Sequence, residues 1–122
     1  MPGMVYKVCS SADWFEAKRN GTYHGSPDDR RDGFIHLSTA DQLAGTLEKH
    51  FSGPDGRGQP GLVLIAFEAD ALGPGLRWEA ARNGALFPHL YAPLDTKAAA
   101  RERPLDVDAA GRHILHGDLG EC

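Results

Sequence analysis

The stretch Asp32-Gly33-Phe34-Ile35-His36-Leu37-Ser38 (DGFIHLS, residues 32–38) starts with a turn glycine and then runs like a strand, broken only by a histidine. Side chains alternate across a strand, so Ile35 and Leu37 share one face while Phe34, His36 and Ser38 share the other. The histidine therefore leaves the buried face intact. It belongs to a second face that carries a ring, an imidazole and a hydroxyl. A lone histidine in a strand is more often a hydrogen-bonded structural ring than a reacting group, so this segment alone does not define a site.

Two further segments have the same construction. In Arg77-Trp78-Glu79, Arg77 and Glu79 share a face opposite Trp78. In Phe87-Pro88-His89-Leu90-Tyr91, Phe87, His89 and Tyr91 share a face opposite Leu90. If the three polar faces line one cleft, that cleft holds His36, Ser38, Arg77, Glu79, His89 and Tyr91. The plainer alternatives are a surface ion pair of small energetic value for Arg77 and Glu79, and a core aromatic with its hydroxyl at the rim for Tyr91. Asp28 to Asp32 (DDRRD) reads as a solvated loop rather than a metal site. His24, His50, His113 and His116 fall in loops or near helix and chain ends and are given no role.

Outward from these segments, Val5 to Cys9 reads as a first strand and Leu62 to Glu68 as a strand buried on both faces. Between the first two strands, a helix is capped by Ser10 or Ser11 and ended by Gly21. Thr39 to Phe51 is the strongest helical pattern. Thr39 and Gln42 stand at capping-box spacing, and Ala40, Leu43, Leu47 and Phe51 form an apolar stripe. Residues 52–61 are a loop by their glycine and proline content. Residues 95–105 are expected to hold a helical turn that Pro104 breaks, Ala110 to Leu115 reads as a last strand, and residues 116–122 as a disordered tail. Pro88 is expected at the start, the edge or a bulge of its strand. The fold class is α+β, one domain over residues 4–115 with two main helices in the N-terminal half.

The 122 residues suffice for a core without metal or disulfide support. A net charge of −4 excludes a broadly basic nucleic-acid or membrane-surface binder. Cys9 and Cys122, a core-strand residue and the last residue, are read as thiols. The opening MPGMVYKVCS lacks the basic and apolar regions of a signal peptide, and no apolar run is long enough to span a membrane, so a cytoplasmic location is expected. Oligomeric state is not legible.

DGFIHLST with Gln42, then RWE, then FPHLY followed by a Pro-Leu pair, together resemble an uncharacterised bacterial family, domain of unknown function 952. The Tyr-Lys opening strand, Trp14 and the Gly21 before Tyr23 fit the same family, over roughly residues 4–115. The resemblance implies a fold similar to the ADP-ribosyltransferases: a split mixed β-structure with a cleft for NAD or a related nucleotide. It implies hydrogen bonds from His36 and Ser38 to ribose or phosphate, Arg77 on an anionic group, and Glu79 beside the reacting ribosyl carbon. His89 and Tyr91 would form a stacking or acid–base wall, and Phe34 would be a further substrate-binding residue. Those transferases carry a His-Gly-Thr-like motif at the end of the first strand. Here Tyr6-Lys7-Val8 stands there, and the similar Tyr23-His24-Gly25-Ser26 lies after the first helix. Two other functions compete: a metal-dependent hydrolase using the His and Glu side chains, and a non-catalytic interaction module in which the same residues hold the fold.

Overall fold

A computed structural model describes residues 3–81 and 84–115. The chain runs β1 (Met4–Ser10), α1 (Ser11–Asn20), β2 (Thr22–Tyr23), α2 (Pro27–Asp32), β3 (Ile35–His36), α3 (Leu43–His50), β4 (Leu62–Glu68), β5 (Leu76–Ala80), β6 (Leu86–Leu90), β7 (Leu94–Asp95) and β8 (Ala99–Leu105). Short 3₁₀ turns at Ala40–Gln42, Ala69–Gly75 and Thr96–Ala98 link them. The expected tail and the Cys122 thiol lie outside the described residues.

β4 is the middle strand of a three-stranded sheet ordered β1-β4-β8, and its continuous apolar run is explained by cover on both faces. Val63, Ile65 and Phe67 belong to a core with Trp14 and Ala17 of α1. Leu62, Leu64 and Ala66 belong to a second core with Leu43 and Leu47 of α3. Burying each such large side chain contributes about 1.5–3 kcal/mol. Trp14 meets Phe67 edge-on, with ring centroids 6.3 Å apart. α1 begins and ends where its sequence says: Ser10 Oγ accepts from the Asp13 N–H, and Gly21 closes the helix at φ 87°.

The remaining strands pair as β2-β7 and as β3-β6-β5. A single bridge joins the β3 segment to β1: the Tyr6 N–H donates to Ser38 O at 2.8 Å and the Ser38 N–H to Tyr6 O at 2.9 Å. The β3 segment thus pairs with β6 at its start and with β1 at its end. Pro88 sits where that exchange occurs. Its carbonyl accepts from the Leu37 N–H at 3.1 Å, and since a strand residue presents both backbone groups to one edge, the missing proline N–H faces Leu37 as well. The β3–β6 ladder stops there, and the chain is released toward β1. Pro88 is therefore neither at the start nor at an outer edge of its strand; it lies inside β6, at the point where one neighbour leaves.

Three expectations are corrected. Every strand pairing among the described residues is antiparallel, where a mixed β-structure was expected. Within residues 95–105 the expected helical turn is present but confined to Thr96–Ala98, and Ala99–Leu105 form strand β8 because the second edge of β4 offers a ladder. Pro104 is tolerated there because β8 is an edge strand. The proposed last strand is reduced to one bridge between Val107 and His113.

A fourth correction matters most. The DDRRD segment is helical, not a solvated loop. Ser26 caps α2 by accepting from the Asp29 N–H at 3.1 Å, while the Asp29 carboxylate accepts from the Ser26 N–H at 3.0 Å, a reciprocal box with Pro27 in the first turn. Gly25 precedes it at φ 105°, and a Cβ there would stand 2.7 Å from the Asp29 Cβ. Only glycine fits. Gly25→Ala is expected to lower stability by about 2 kcal/mol through strain and displacement of Asp29, read by urea denaturation; a variant as stable as the wild type would refute the packing role.

Candidate functional site

Asp29 is 2% exposed although its helix lies at the surface. Its Oδ2 pairs with Lys7 Nζ at 2.8 Å, and its Oδ1 accepts from the His36 N–H at 3.1 Å and meets His36 Nδ1 at 2.6 Å. Lys7 Nζ also donates to His36 O at 3.1 Å. β1 places Lys7 between Val5 and Cys9 on its core-facing side, so the residue is 4% exposed, with the Tyr23 ring centroid 5.8 Å from Nζ. Burial works against the Asp29 charge, but the hydrogen bond to His36, the charge of Lys7 and the Ser26 N–H hold its carboxyl well below the usual range. The other nitrogen of His36 lies 3.0 Å from Asp32 Oδ2. Only a doubly protonated ring donates to both carboxylates at once.

The same face of the β3-β6-β5 sheet carries a second imidazole–carboxylate pair. His89 stands opposite His36 on β3 and opposite Arg77 on β5. His89 Nδ1 lies 2.7 Å from Glu79 Oε1, and the Tyr91 hydroxyl donates to the same oxygen at 2.8 Å. These two contacts hold the Glu79 carboxyl below its ordinary range, and Glu79 in turn raises that of the Tyr91 phenol. With the Nδ1–H directed to Glu79, the neutral His89 ring keeps its lone pair on Nε2. Phe34 stacks on His89 at 4.0 Å between centroids and also contacts the rings of His36 and Tyr91. The Arg77 guanidinium lies 5.3 Å from the Tyr91 ring centroid.

A cavity of about 300 Å³ opens between this face, α2 and the C-terminal end of α3. His36 and His89 line it, together with Lys7, Asp29, Phe87 and Lys49. Of the residues expected from sequence, Phe34, His36, Arg77, Glu79, His89 and Tyr91 stand on one sheet face. Only the two histidines line the cavity; Phe34, Arg77, Glu79 and Tyr91 lie beside or behind them. Ser38 is separate, because its backbone pairs with β1 and its Oγ lies 2.9 Å from Thr46 Oγ1 on α3. Among the described residues, no group of three or more His, Cys, Asp or Glu side chains is arranged to hold a metal ion. Burial pushes the Cys9 thiol up to about 11, so this free, buried cysteine is not an activated nucleophile.

Sequence reasoning missed Lys7, Asp29 and Asp32, and gave no role to His50, which also lines the cavity. Two signals were present. Lys7 interrupts an apolar strand as His36 does, and Ser26-Pro27-Asp28-Asp29 has the spacing of a capping box. The Tyr23-His24-Gly25-Ser26 motif is structural: Tyr23 is a core residue, Gly25 permits close approach and Ser26 caps α2.

The depressed Asp29 pKa fixes a sign. Its contribution is complete above the ordinary carboxylate range, about pH 4, and is lost as pH falls toward the folded value. Asp29→Asn is expected to cost about 3 kcal/mol at pH 7 by leaving Lys7 buried without a counter-charge. The gap to the wild type should narrow below pH 4; denaturant titrations from pH 3 to 8 measure it, and a gap independent of pH would contradict the assignment.

Comparison with known proteins gives a consistent result. A family model described as "Protein of unknown function (DUF952)" matches residues 8–102. The crystal structure of protein CC0527 from Caulobacter crescentus, from the Northeast Structural Genomics Consortium, is 49% identical, with 92% of this chain and 94% of that chain covered and a TM-score of 0.84. The solution NMR structure of CC0527 from Caulobacter crescentus gives 50% identity, coverage of 89% and 90%, and a TM-score of 0.77. No curated protein matches the chain. No helix among the described residues is long and apolar enough to cross a membrane.

Proposed function

The chain belongs to the DUF952 family of proteins of unknown function, and we propose that it binds a small nucleotide-like ligand in the cavity beside His36 and His89, on an ADP-ribosyltransferase-like framework. The observation that carries this reading is the His89–Glu79–Tyr91 arrangement at the cavity wall. A carboxylate takes one ring nitrogen and leaves Nε2 as the group able to accept or return a proton. His89 is the candidate acid–base residue. Glu79 and Tyr91 are positioning residues that act through it. His36, held between Asp29 and Asp32, supplies a fixed wall and serves the fold at the same time.

The cavity volume of about 300 Å³ is at the low end for small-molecule sites. It suits a nucleoside-sized portion better than a whole dinucleotide, so the remainder of NAD or ADP-ribose would extend past the rim. The proposed chemistry is attack of water or an acceptor hydroxyl on the ribosyl carbon of an NAD-like ligand: the new C–O bond replaces the bond to nicotinamide, which leaves neutral with the bonding pair, and His89 Nε2 takes the proton of the attacking hydroxyl. Arg77, over the Tyr91 ring, is placed to meet an anionic group outside the cavity. The metal-hydrolase alternative is the weaker reading, because carboxylates face both nitrogens of His36 and one of His89.

Ligand-observed NMR with NAD, ADP-ribose and AMP at millimolar ligand is expected to show saturable binding that weakens at least about tenfold, or 1.4 kcal/mol, in His89→Ala. If none of the three binds to the wild type, the reading fails.

A further inference from the structure

The hydrogen bonds around the cavity are unevenly used. Each carboxylate that lines it already has a cation: Asp29 has Lys7, Asp28 has Arg31 at 3.2 Å, and Asp32 has Arg31 at 3.0 Å. What the protein leaves over is donor capacity. Lys7 directs two N–H groups to Asp29 and to His36 O, so the third N–H of an ammonium has no acceptor among the described residues. Lys7 is nine-tenths buried and lines the cavity. Lys49, in the last turn of α3, lines it as well, and its side chain makes no ion pair or hydrogen bond among the described residues. His89 adds its Nε2, a donor when protonated.

From this imbalance we infer that the cavity takes an oxyanion, a phosphate ester or a carboxylate, with Lys7 beneath it and Lys49 closing over it from α3. A cationic or donor-rich ligand would meet carboxylates that are already paired and ammonium groups that repel it. An oxyanion instead completes the third Lys7 bond and gives Lys49 its counter-charge, in a site where apolar residues such as Leu37, Phe51 and Phe87 reduce screening. The inference rests on the nucleotide reading for its choice of phosphate ester, but not for the oxyanion itself.

The test compares AMP with adenosine, and inorganic phosphate with acetate at matched ionic strength, by amide chemical shifts of the full chain. AMP is expected to bind at least tenfold tighter than adenosine, and Lys49→Gln to remove most of that difference. Lys49 is exposed, so this variant keeps the fold, whereas Lys7→Met would also disrupt the pair with Asp29. Saturable shifts with phosphate but not acetate assign a phosphate ester, and the reverse assigns a carboxylate. Equal binding of AMP and adenosine would overturn the oxyanion inference while leaving the nucleotide reading intact. Binding of phosphate or acetate without either nucleoside compound would uphold the oxyanion and remove the nucleotide. If nothing binds, both fall.

Discussion

The buried Asp29 carboxylate is the point on which the rest of the molecule converges. It caps its own helix through the Ser26 N–H, receives the ammonium of β1, and fixes both the backbone and the ring of His36 on β3. Two consecutive elements, α2 and β3, and the distant β1 are thus referred to two oxygen atoms. An isolated carboxylate in that position would cost several kcal/mol in lost hydration; here each lone-pair direction meets a donor. Removal of any one partner leaves a charge without its complement, so the network favours one arrangement of α2, β1 and β3.

That arrangement is also what makes the cavity. The inward side chain of α2 is the Asp29 carboxylate, which bridges to β1 and β3, and the cavity opens between α2, the β3-β6-β5 face and α3. The Tyr6–Ser38 bridge and Pro88 act to the same end, since they divert the β3 segment from β6 to β1 and split the β-structure beside the site. The histidines at the wall are held in different ways. His36 is bound at both nitrogens by acidic groups of α2. His89 is bound at one, through Nδ1 to Glu79.

Much of the fold was legible before any coordinates. The continuous run Leu62 to Glu68 announced a strand covered on both faces, Ser10 and Gly21 bounded α1, and period-two alternation placed Phe34, His36, Arg77, Glu79, His89 and Tyr91 on like faces. Local rules carry such information, because caps and alternation depend on neighbours within a few residues. Ser38 shows where alternation stops being sufficient. It shares the His36 face in sequence, yet the chain leaves its sheet there and the hydroxyl turns to Thr46.

The sequence by itself determined the α+β class, α1, α3, β1 and β3 to β6, and which strand faces hold the polar side chains. Only the tertiary structure decided that β8 is a strand, that α2 is a helix, and that Lys7 and Asp29 are partners. The physical reason is common to all three. A strand such as Ala99 to Leu105 exists because β4 has an edge to fill, and a lysine or an aspartate inside the protein exists because its counter-charge arrives from 22 residues away. Each of these residues read alone looks solvated. Paired, they define the site.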